Sequence, residues 1–333
     1  MAISRLRKNR PGRDRDAPKS AVREEVVPAP ADGAEQAPPK PQVKVSAIVV
    51  SHNRKALLKR CIDALEASAG REFLEVIVID NGSTDGSPDL EADYPQNQFL
   101  KLPRNFGLTK ALNIGIRSAK GEFLLFLHAD AEVGVNTVSA LAACLDEEPD
   151  ATAACPLLVF PDGEPAPQLC ALPSPDDPFP EFAPAGAAEA KTPVACASGA
   201  VLMVRKFLIQ SIRHIEERYG QFGSDIELCA QIRRGGKKIM MVSAARATHH
   251  TRAEPEEASR RAQYDTDRAL GTLAFIQKYY GFTAALRIRL GLGFRYLFAA
   301  FASLVRARDA GYCFRRLTLL LQGQKIDGTQ FLA

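Results

Sequence analysis

The sequence lacks the cysteine spacing of a disulfide framework or a structural zinc site. Its seven cysteines are scattered, and no two of them form a C-x-x-C pair. Several of them, such as Cys61 and Cys229, lie inside apolar runs, where a cysteine is typical of a small core residue. This usage favours a reducing compartment over a secreted, disulfide-linked protein.

Long hydrophobic runs are also absent. The N-terminus is basic, but it lacks the apolar stretch that a secretory signal requires. No span approaches the length that crosses a bilayer, and the longest uncharged run in the C-terminal part covers only residues 296–305. We therefore predict a protein that is made and kept in the cytoplasm.

Large apolar side chains are scarce in residues 1–42, which are rich in Pro, Ala, Arg, Asp and Glu. Such a segment cannot bury enough surface to offset the entropy of ordering it, so we predict a disordered leader. The whole chain has the composition of a globular protein, with 46% hydrophobic and 25% charged residues. Its net charge of +4 is mild and by itself indicates no partner.

From residue 43 onward, strand patterns alternate with helix patterns. Four apolar runs are typical of strands: residues 45–50, 74–79, 99–102 and 122–127. Helical periodicity follows the first and the third of these runs. This order predicts an α/β domain with a mostly parallel sheet flanked by helices.

Polar residues cluster directly after three of these runs, at residues 51–53, 80–85 and 128–132. In a parallel sheet the carboxyl ends of the strands lie at one edge, and ligands bind beyond that edge. The sequence therefore predicts that these three clusters form one binding site.

The pattern is less regular beyond residue 160. Residues 161–193 are rich in proline and aperiodic, which predicts a long functional loop over the site. Strand patterns return at residues 199–204 and 238–242, and the chain is predicted to be helical from residue 256.

The C-terminal helical part is basic and amphipathic. Between residues 284 and 325 it has one acidic residue, Asp309, and eight basic ones: Arg287, Arg289, Arg295, Arg306, Arg308, Arg315, Arg316 and Lys325. Leucine and phenylalanine residues alternate with them, so these helices are suited to the headgroup layer of an anionic membrane. A helical cap packed on the α/β domain is the alternative. Nucleic-acid binding fits less well, because no known binding motif appears.

Five collinear stretches resemble family 2 glycosyltransferases, particularly bacterial members of the rhamnosyltransferase type. They are VSAIVVSHN at 45–53, VIVIDNGSTDGS at 76–87, RNFGL at 104–108 with NIGI at 113–116, the stretch 121–133, and FGSDIELC at 222–229. The resemblance implies a GT-A domain at residues 43–255, followed by the basic helical region at 256–333.

This resemblance implies an inverting, metal-assisted enzyme that moves a sugar from a nucleotide-diphosphate donor to a glycan or polyprenyl-linked acceptor of the cell envelope. It favours rhamnose carried by thymidine diphosphate as the donor. The implied cofactor is a divalent cation, Mg²⁺ or Mn²⁺. A polyprenyl-linked acceptor would bring the enzyme to the inner face of the cell membrane.

The resemblance also assigns residues to the donor. The family uses an acid after the second strand to accept a hydrogen bond from the nucleotide base, and here that acid is Asp80. A turn role for Asp80 is the alternative, because Asp-Asn-Gly-Ser is good turn chemistry. The predicted nucleotide-sugar-binding residues are Ser51, Asn53, Asp80, Asn105, Ala129 and Lys110, the last of which faces either the diphosphate or solvent.

The cation is assigned to Asp130, because the family places Asp-x-Asp or a variant where this chain has His-Ala-Asp. Carboxylate oxygens suit such an ion, and a helix N-cap is the alternative role of Asp130. His249 is predicted to complete the metal shell, with His250 as the second choice. His128 either joins the metal or forms a local hydrogen bond.

Asp225 is the predicted general base, which takes the proton of the acceptor hydroxyl. The family has Glu-Asp-x-Asp here, whereas this chain has Ser224, Asp225, Ile226 and Glu227, so the first acid is lost. Glu227 is predicted to orient its neighbours, and Glu132 to support its loop. A helix N-cap is the alternative role of Asp225.

Two other functions stay open. A nucleotidyltransferase shares this type of sheet, but it would have a Gly-rich, basic loop after the first strand, and residues 51–54 form no such loop. A catalytically degenerate relative, which binds nucleotide sugar or scaffolds an assembly, is favoured by the substitutions at His128 and Ser224.

Overall fold

The computed structural model describes residues 42–186, 190–219, 221–251, 258–306 and 310–323, with side chains for all of these except 304–306 and 310. By their contacts, the residues from Pro41 onward form one unit. The predicted leader 1–42 lies outside the described residues except for its last residue, as do Arg308, Asp309 and Lys325 of the basic region.

The described residues form twelve strands in two sheets. In chain order the strands are β1 (Val45–Ser51), β2 (Leu74–Asp80), β3 (Gln98–Lys101), β4 (Phe123–His128), β5 (Ala131–Val133), β6 (Ala151–Val159), β7 (Pro167–Cys170), β8 (Ala183–Pro184), β9 (Lys191–Val194), β10 (Cys196–Ala197), β11 (Val201–Arg205) and β12 (Lys238–His249). The central sheet has the order β3-β2-β1-β4-β11-β6-β12-β5, with β9 also paired to β12. The small sheet has the order β10-β7-β8.

Helices flank the central sheet and then form the C-terminal part. In chain order the α-helices of the described residues are α1 (Lys55–Glu66), α2 (Leu108–Ser118), α3 (Thr137–Glu147), α4 (Lys206–Ile212), α5 (Ser224–Arg234), α6 (Ala258–Tyr280), α7 (Phe282–Arg306) and α8 (Ala310–Gln322). Two short 3-10 helices, Arg71–Phe73 and Ser87–Asp93, lie beside β2 and β3.

The strand directions divide the central sheet into two parts. β3, β2, β1 and β4 are parallel to one another, as the sequence predicts. β11 is antiparallel to β4 and to β6, while β12 runs parallel to β6 and antiparallel to β5 and β9. The fold is therefore a mixed α/β fold, and its parallel part carries the predicted site edge.

The first strands are apolar throughout because both of their faces are covered. Along β1, Val49 packs into a core cluster with α1 and α3, and Ile48 packs into a second cluster with α2 and α5. Successive side chains of a strand point to opposite faces, so a strand between two helical layers needs apolar residues at nearly every position.

One prediction about the second half of the chain is wrong, and one strand is longer than predicted. Residues 161–193 are not a structureless loop, since they contain the short strands β7 and β8 and most of β9. The strand predicted at 238–242 extends to His249, with an irregular register between Val242 and Arg246. Irregular pairing interrupts the simple apolar alternation on which the prediction relied.

The C-terminal helices pack on the α/β domain through α6. Phe275 and Ile276 of α6 lie in one buried cluster with Ala230 of α5 and with Tyr219, which precedes α5. Asp267 is fully buried, and its Oδ2 accepts the backbone N–H groups of Gln221 and Phe222 at 2.8 and 3.1 Å. Among the described residues, no helix is long and apolar enough to cross a membrane.

Gly115 of α2 tests how tightly this helix packs on the sheet. A Cβ atom at this position would lie 2.6 Å from Cγ2 of Ile48. We expect Gly115→Ala to lower the free energy of unfolding by about 1–3 kcal/mol, because overpacking costs more than the gain in helix propensity. Urea denaturation measures the change. Gly293→Ala is the control, since a Cβ there meets nothing within 4 Å and should stabilise the protein slightly.

Candidate active site

The pairing register brings the ends of three strands to one edge of the sheet. Ser51, the last residue of β1, lies opposite Asp80, the last residue of β2. On the other side of β1, Val50 lies opposite His128, the last residue of β4. Because these strands are parallel and end together, the three predicted polar clusters meet at this edge.

Three side chains suited to a metal ion lie together here. One ligand atom from each of His128, Asp130 and His249 lies within 4.8 Å of the other two, and we call this group the metal-ligand cluster. His249 reaches it because the end of β12 pairs with β5, which follows Asp130 directly. The backbone N–H of His250 also donates to the carbonyl oxygen of Asp130 at 2.9 Å.

The carboxylate of Asp130 is the most densely bonded group of the cluster. Arg54 Nη1 donates to its Oδ2 at 2.6 Å, and the Thr251 hydroxyl donates to the same oxygen at 2.5 Å. His249 Nε2 lies 3.4 Å from its Oδ1. Burial acts to raise the pKa of Asp130, but the bonds from His249 and Thr251 and the nearby His128 ring hold this pKa well below its ordinary value. The cluster therefore contains an ionised carboxylate at neutral pH.

The imidazole of His128 is neutral at this pH. Burial lowers the pKa of His128, and the carboxylates of Asp130 and Asp225 only partly offset this effect. A neutral imidazole is the form that ligates metals. The ring centroids of His128 and His249 are 6.3 Å apart, with the planes tilted by 50°.

Asp225 lies in the first turn of α5, near the cluster. Its Oδ2 accepts the backbone N–H of Gly199 at 3.2 Å, and its Oδ1 accepts that of Ile226 at 2.9 Å. Glycine suits this close approach, because a Cβ at Gly199 would lie only 3.3 Å from Cβ of Asp225. The next residue, Ala200, accepts the backbone N–H of His128 at 2.9 Å, so residues 199–200 connect Asp225 to the cluster.

The two helix-cap alternatives do not apply. The N-cap of α3 is Asn136, not Asp130. The N-cap of α5 is Gly223, which has a left-handed backbone conformation with φ of 105°, and Asp225 lies inside the helix. Neither carboxylate is therefore needed to start a helix.

One carboxylate oxygen of Asp80 stabilises the turn after β2, and the other is left without a hydrogen-bond donor in the part of the chain that the structure describes. Its Oδ2 accepts the backbone N–H of Ser83 at 3.1 Å. Its Oδ1 is buried and has no hydrogen-bond donor among the described residues, and the same holds for the buried hydroxyl of Ser51. Buried polar atoms are nearly always paired in folded proteins, so these two atoms on neighbouring strands are suited to a polar ligand.

Two residues predicted to bind the nucleotide sugar, Asn53 and Asn105, hold the loops around the site together. Asn53 has a left-handed backbone with φ of 50°, and its Oδ1 accepts the N–H of Thr84 at 2.8 Å. Asn105 is buried, and its Oδ1 accepts from the side-chain amide of Asn81 at 2.9 Å. These bonds connect the loops that follow β1, β2 and β3.

The remaining predicted residues differ in exposure. Ala129 is buried within the core, between the two cluster members His128 and Asp130. Lys110 is exposed near the start of α2, and its Nζ lies 5.4 Å from the ring centroid of Phe106. His250, the second choice for the metal, instead pairs with Glu132, since its Nε2 lies 2.7 Å from Glu132 Oε1.

The model of the family described as glycosyl transferase family 2 matches residues 46–212, half of the chain. The chain belongs to this family. It is a glycosyltransferase, and Asp80, His128 and Asp130 lie in the matched part. His249 and Asp225 lie beyond it.

Two similar proteins are named a rhamnosyltransferase and an O-antigen biosynthesis protein. Over 230 residues the chain is 25% identical to the N-acetylglucosaminyl-diphospho-decaprenol L-rhamnosyltransferase of Mycobacterium tuberculosis, covering 61% of this chain and 75% of that protein. It is 28% identical over 253 residues to the O-antigen biosynthesis protein RfbC of Myxococcus xanthus, but it covers only 19% of that protein.

Solved structures show that this family 2 enzyme has the GT-A fold. GalNAc-T7, with UDP, GalNAc and Mn²⁺, aligns with a TM-score of 0.58 over 71% of this chain and 48% of its own. Staphylococcus aureus TarS residues 1–349, with UDP-GlcNAc, aligns with a TM-score of 0.53 over 71% of this chain and 67% of its own. Both are 18% identical to it, a level at which the likeness concerns the fold alone.

The sequence prediction missed three groups of this glycosyltransferase site. Arg54, Thr251 and the backbone N–H of Gly199 all bind a predicted catalytic or metal-binding carboxylate. Arg54 directly follows the family-like stretch 45–53, and this position could have marked it as a site residue. Thr251 and Gly199 lie in segments without a recognisable motif, and only the fold brings them to the carboxylates.

Glu227 faces away from the site and binds α6. It is 1% exposed, and its carboxylate accepts bonds from Lys278 at 2.5 Å, Tyr219 and Tyr279 at 2.8 Å each, and Gln231 at 2.9 Å. Burial acts to raise its pKa, but these bonds outweigh burial and lower the pKa below the ordinary value. The predicted orienting role thus has a structural counterpart, an anchor between α5 and α6.

We expect Glu227→Gln to lower the free energy of unfolding by about 3 kcal/mol at neutral pH, because Lys278 loses its buried partner. A carboxylate with a lowered pKa stabilises the fold above its ordinary pKa, and this contribution is lost as pH falls. The difference in the free energy of unfolding between wild type and variant should therefore become smaller below pH 4.5, the ordinary pKa of a glutamate. Denaturant titrations across this range measure it.

Glu216→Gln is the matched control for that experiment. Its carboxylate lies 4.0 Å from the same lysine and is 24% exposed, so its loss should cost less than about 1 kcal/mol. Equal destabilisation by the two variants would show that the buried hydrogen bonds of Glu227 stabilise the fold no more than the partly exposed carboxylate of Glu216 does.

Proposed function

We propose that the protein is an inverting glycosyltransferase that moves a sugar from a nucleotide-diphosphate donor to a cell-envelope acceptor. The observation that carries the proposal is the metal-ligand cluster at the carboxyl end of β4, with the Asp225 carboxylate beside it. A sugar transfer needs negative charge to be neutralised on the leaving diphosphate and a base to accept the proton of the acceptor. These two requirements correspond to two neighbouring groups of one site.

The metal-ligand cluster fits a divalent cation. It combines one ionised carboxylate with two imidazoles, a donor set that suits Mn²⁺ better than Mg²⁺ because imidazole is the softer ligand. We assign His128, Asp130 and His249 as its ligands. When bound, the ion would act as a Lewis acid toward the diphosphate. Arg54, which pairs with Asp130 at 2.6 Å, is also suited to the diphosphate oxygens.

In this proposal Asp225 is the general base. The acceptor oxygen forms a bond to the anomeric carbon as the bond from that carbon to the diphosphate oxygen breaks, and the hydroxyl proton passes to the Asp225 carboxylate. Attack from the face opposite the leaving group inverts the anomeric configuration. The N–H groups of Gly199 and Ile226 orient the carboxylate, which supports this role.

The nucleotide is assigned to the edge formed by β1 and β2. The unpaired Oδ1 of Asp80 is an acceptor for the imide N–H of a uracil or thymine base, and the Ser51 hydroxyl lies on the neighbouring strand. Asn53 and Asn105 keep the surrounding loops in place for the donor. Lys110, exposed near the start of α2, is assigned to the diphosphate.

The proposed donor sugar and acceptor are inferred from similar proteins. The mycobacterial relative is named a rhamnosyltransferase that acts on a decaprenyl-diphosphate-linked sugar, and it supports rhamnose as the donor sugar and a polyprenyl-linked acceptor. The TarS complex with UDP-GlcNAc keeps a uridine donor among the candidates. We propose thymidine-diphosphate-rhamnose first.

A panel of nucleotide-diphosphate sugars tests this function. Calorimetric titration with Mn²⁺ present should show binding of at least one pyrimidine donor, and transfer to polyprenyl-diphosphate-N-acetylglucosamine should give a product with inverted anomeric configuration by NMR. Retention of configuration, or binding without any transfer, would contradict the proposed enzyme.

Asp225→Asn should reduce kcat by a factor of about 10²–10⁴, because the amide cannot take the proton. Donor affinity should stay near that of wild type, since the residue contacts the acceptor side. Steady-state kinetics and donor titration measure the two effects. Asp146→Asn, on an exposed aspartate paired with Lys44, is the control and should leave kcat unchanged.

His249→Ala should weaken Mn²⁺ binding by roughly tenfold or more, because one of three protein ligands is lost. Electron paramagnetic resonance of free Mn²⁺ measures the affinity without any turnover. His214→Ala, at an exposed histidine of a different segment, should bind the ion as wild type does. Equal affinity in both variants would remove His249 from the metal shell.

A further inference from the structure

Exposed apolar side chains are concentrated on the C-terminal helices. Thirteen large hydrophobic residues are exposed among the described residues, and ten of them lie between residues 280 and 321. The largest exposures are those of Phe294 and Phe298, at 71% and 77%. Surface hydrophobic residues scattered singly are normal, whereas a contiguous group of this kind marks an interaction surface.

Seven of these ten side chains form one face of α7. Phe282, Leu286, Leu290, Phe294 and Phe298 are spaced four residues apart, and Leu297 and Phe301 fill the same side. Residues at this spacing lie one above another along a helix. The opposite side of α7 carries Leu292, Tyr296 and Ala300, which are buried. We call the exposed side the α7 apolar face.

A groove continues this face toward α6 and α8. It has a volume of about 710 Å³ and is lined by Leu270, Leu273, Leu290, Phe294, Leu320 and others. Arg289 borders it and closes the contact between α7 and α8 by donating to the carbonyl oxygen of Leu320 at 2.6 Å. The groove has the shape and lining for a single apolar chain.

The charge around the face is of one sign. α7 and α8 contain six arginines and no acidic residue: Arg287, Arg289, Arg295, Arg306, Arg315 and Arg316. Arg287 precedes Phe294 by two helical turns and so shares its face, and Arg295 borders the face; both side chains are exposed. The face is therefore apolar in its middle and cationic around it.

We infer that the α7 apolar face docks on a membrane surface that contains anionic lipids, with the helix lying in the headgroup layer. Phenylalanine and leucine enter the apolar boundary, and the arginines pair with lipid phosphates, as in other interfacial cationic helices. A second copy of this chain is a poorer occupant, because joining two such faces would bring the exposed Arg287 and Arg295 of both copies together, and α7 and α8 contain no acidic residue to pair with them.

Docking of this face would also fix the active site relative to the membrane. α6 packs against α7 and α8, and its Lys278 binds Glu227, two residues after Asp225. The inference itself needs only the surface, so it stands independently of the proposed transfer reaction. For a lipid-linked acceptor it supplies the place where that acceptor is found.

Vesicle co-sedimentation of the full chain tests the inference. We expect the protein to bind vesicles of phosphatidylcholine with added phosphatidylglycerol more tightly than phosphatidylcholine alone, and to be released by salt. Phe294→Asp with Phe298→Asp should lower the partition coefficient by at least about tenfold. Phe207→Ser, at a phenylalanine that is 52% exposed on α4, is the matched control and should bind like wild type.

Arg287→Glu with Arg295→Glu separates the two parts of the surface. This variant should lose binding to the anionic vesicles, while its weak binding to neutral vesicles stays the same. Binding of the Phe294→Asp and Phe298→Asp variant at the wild-type level would overturn the inference. So would a failure of the wild type to bind either vesicle.

Two further measurements test whether something other than a membrane covers the α7 apolar face. Sedimentation velocity would overturn the inference if wild type is a dimer and the phenylalanine variant a monomer. A lower melting temperature of that variant would do so too, because it would mean that another part of the chain covers the face. Failed sugar transfer with intact vesicle binding would count against the proposed function alone.

Discussion

Asp130 is held from two directions, and the site depends on this double attachment. Its carbonyl oxygen accepts the N–H of His250, which directly follows β12, and its carboxylate binds Arg54, at the start of α1, and Thr251, also beyond β12. The first bond extends the antiparallel pairing of β12 with β5, which begins directly after Asp130. This pairing places His249 opposite Ala131 and so brings it to Asp130, which completes the metal-ligand cluster.

The carboxylate that we propose as the general base depends on a different contact. Asp225 is fixed by the loop before β11, where Gly199 allows its close approach, while Glu227 in the same helix turn is buried against α6. Two acids two residues apart on a helix point to different sides. One therefore faces the site and the other anchors the C-terminal helices, which connects the cationic, apolar surface of α7 to the helix that carries the proposed base.

Much of the first half could be predicted because local patterns and packing agree there. The apolar runs at β1, β2 and β4 are buried on both faces, and the polar clusters after them meet at one edge. Prediction failed at β7, β8 and β9, which are short strands that each contain a proline, and at the second half of β12. Their pairing is set by neighbours distant in sequence, so no local periodicity records it.

The sequence by itself determined the family and the α/β architecture, because the motifs and strand patterns are local. It also predicted Asp80, Asp130 and Asp225 as site residues, since each of these acids lies in a stretch that resembles the family. Only the tertiary structure decided which histidine joins Asp130, since His249 and His250 are adjacent and point to different carboxylates. It also decided that Arg54 and Thr251 bind Asp130. Such contacts join segments far apart in the chain, and their geometry exists only after the strands have paired.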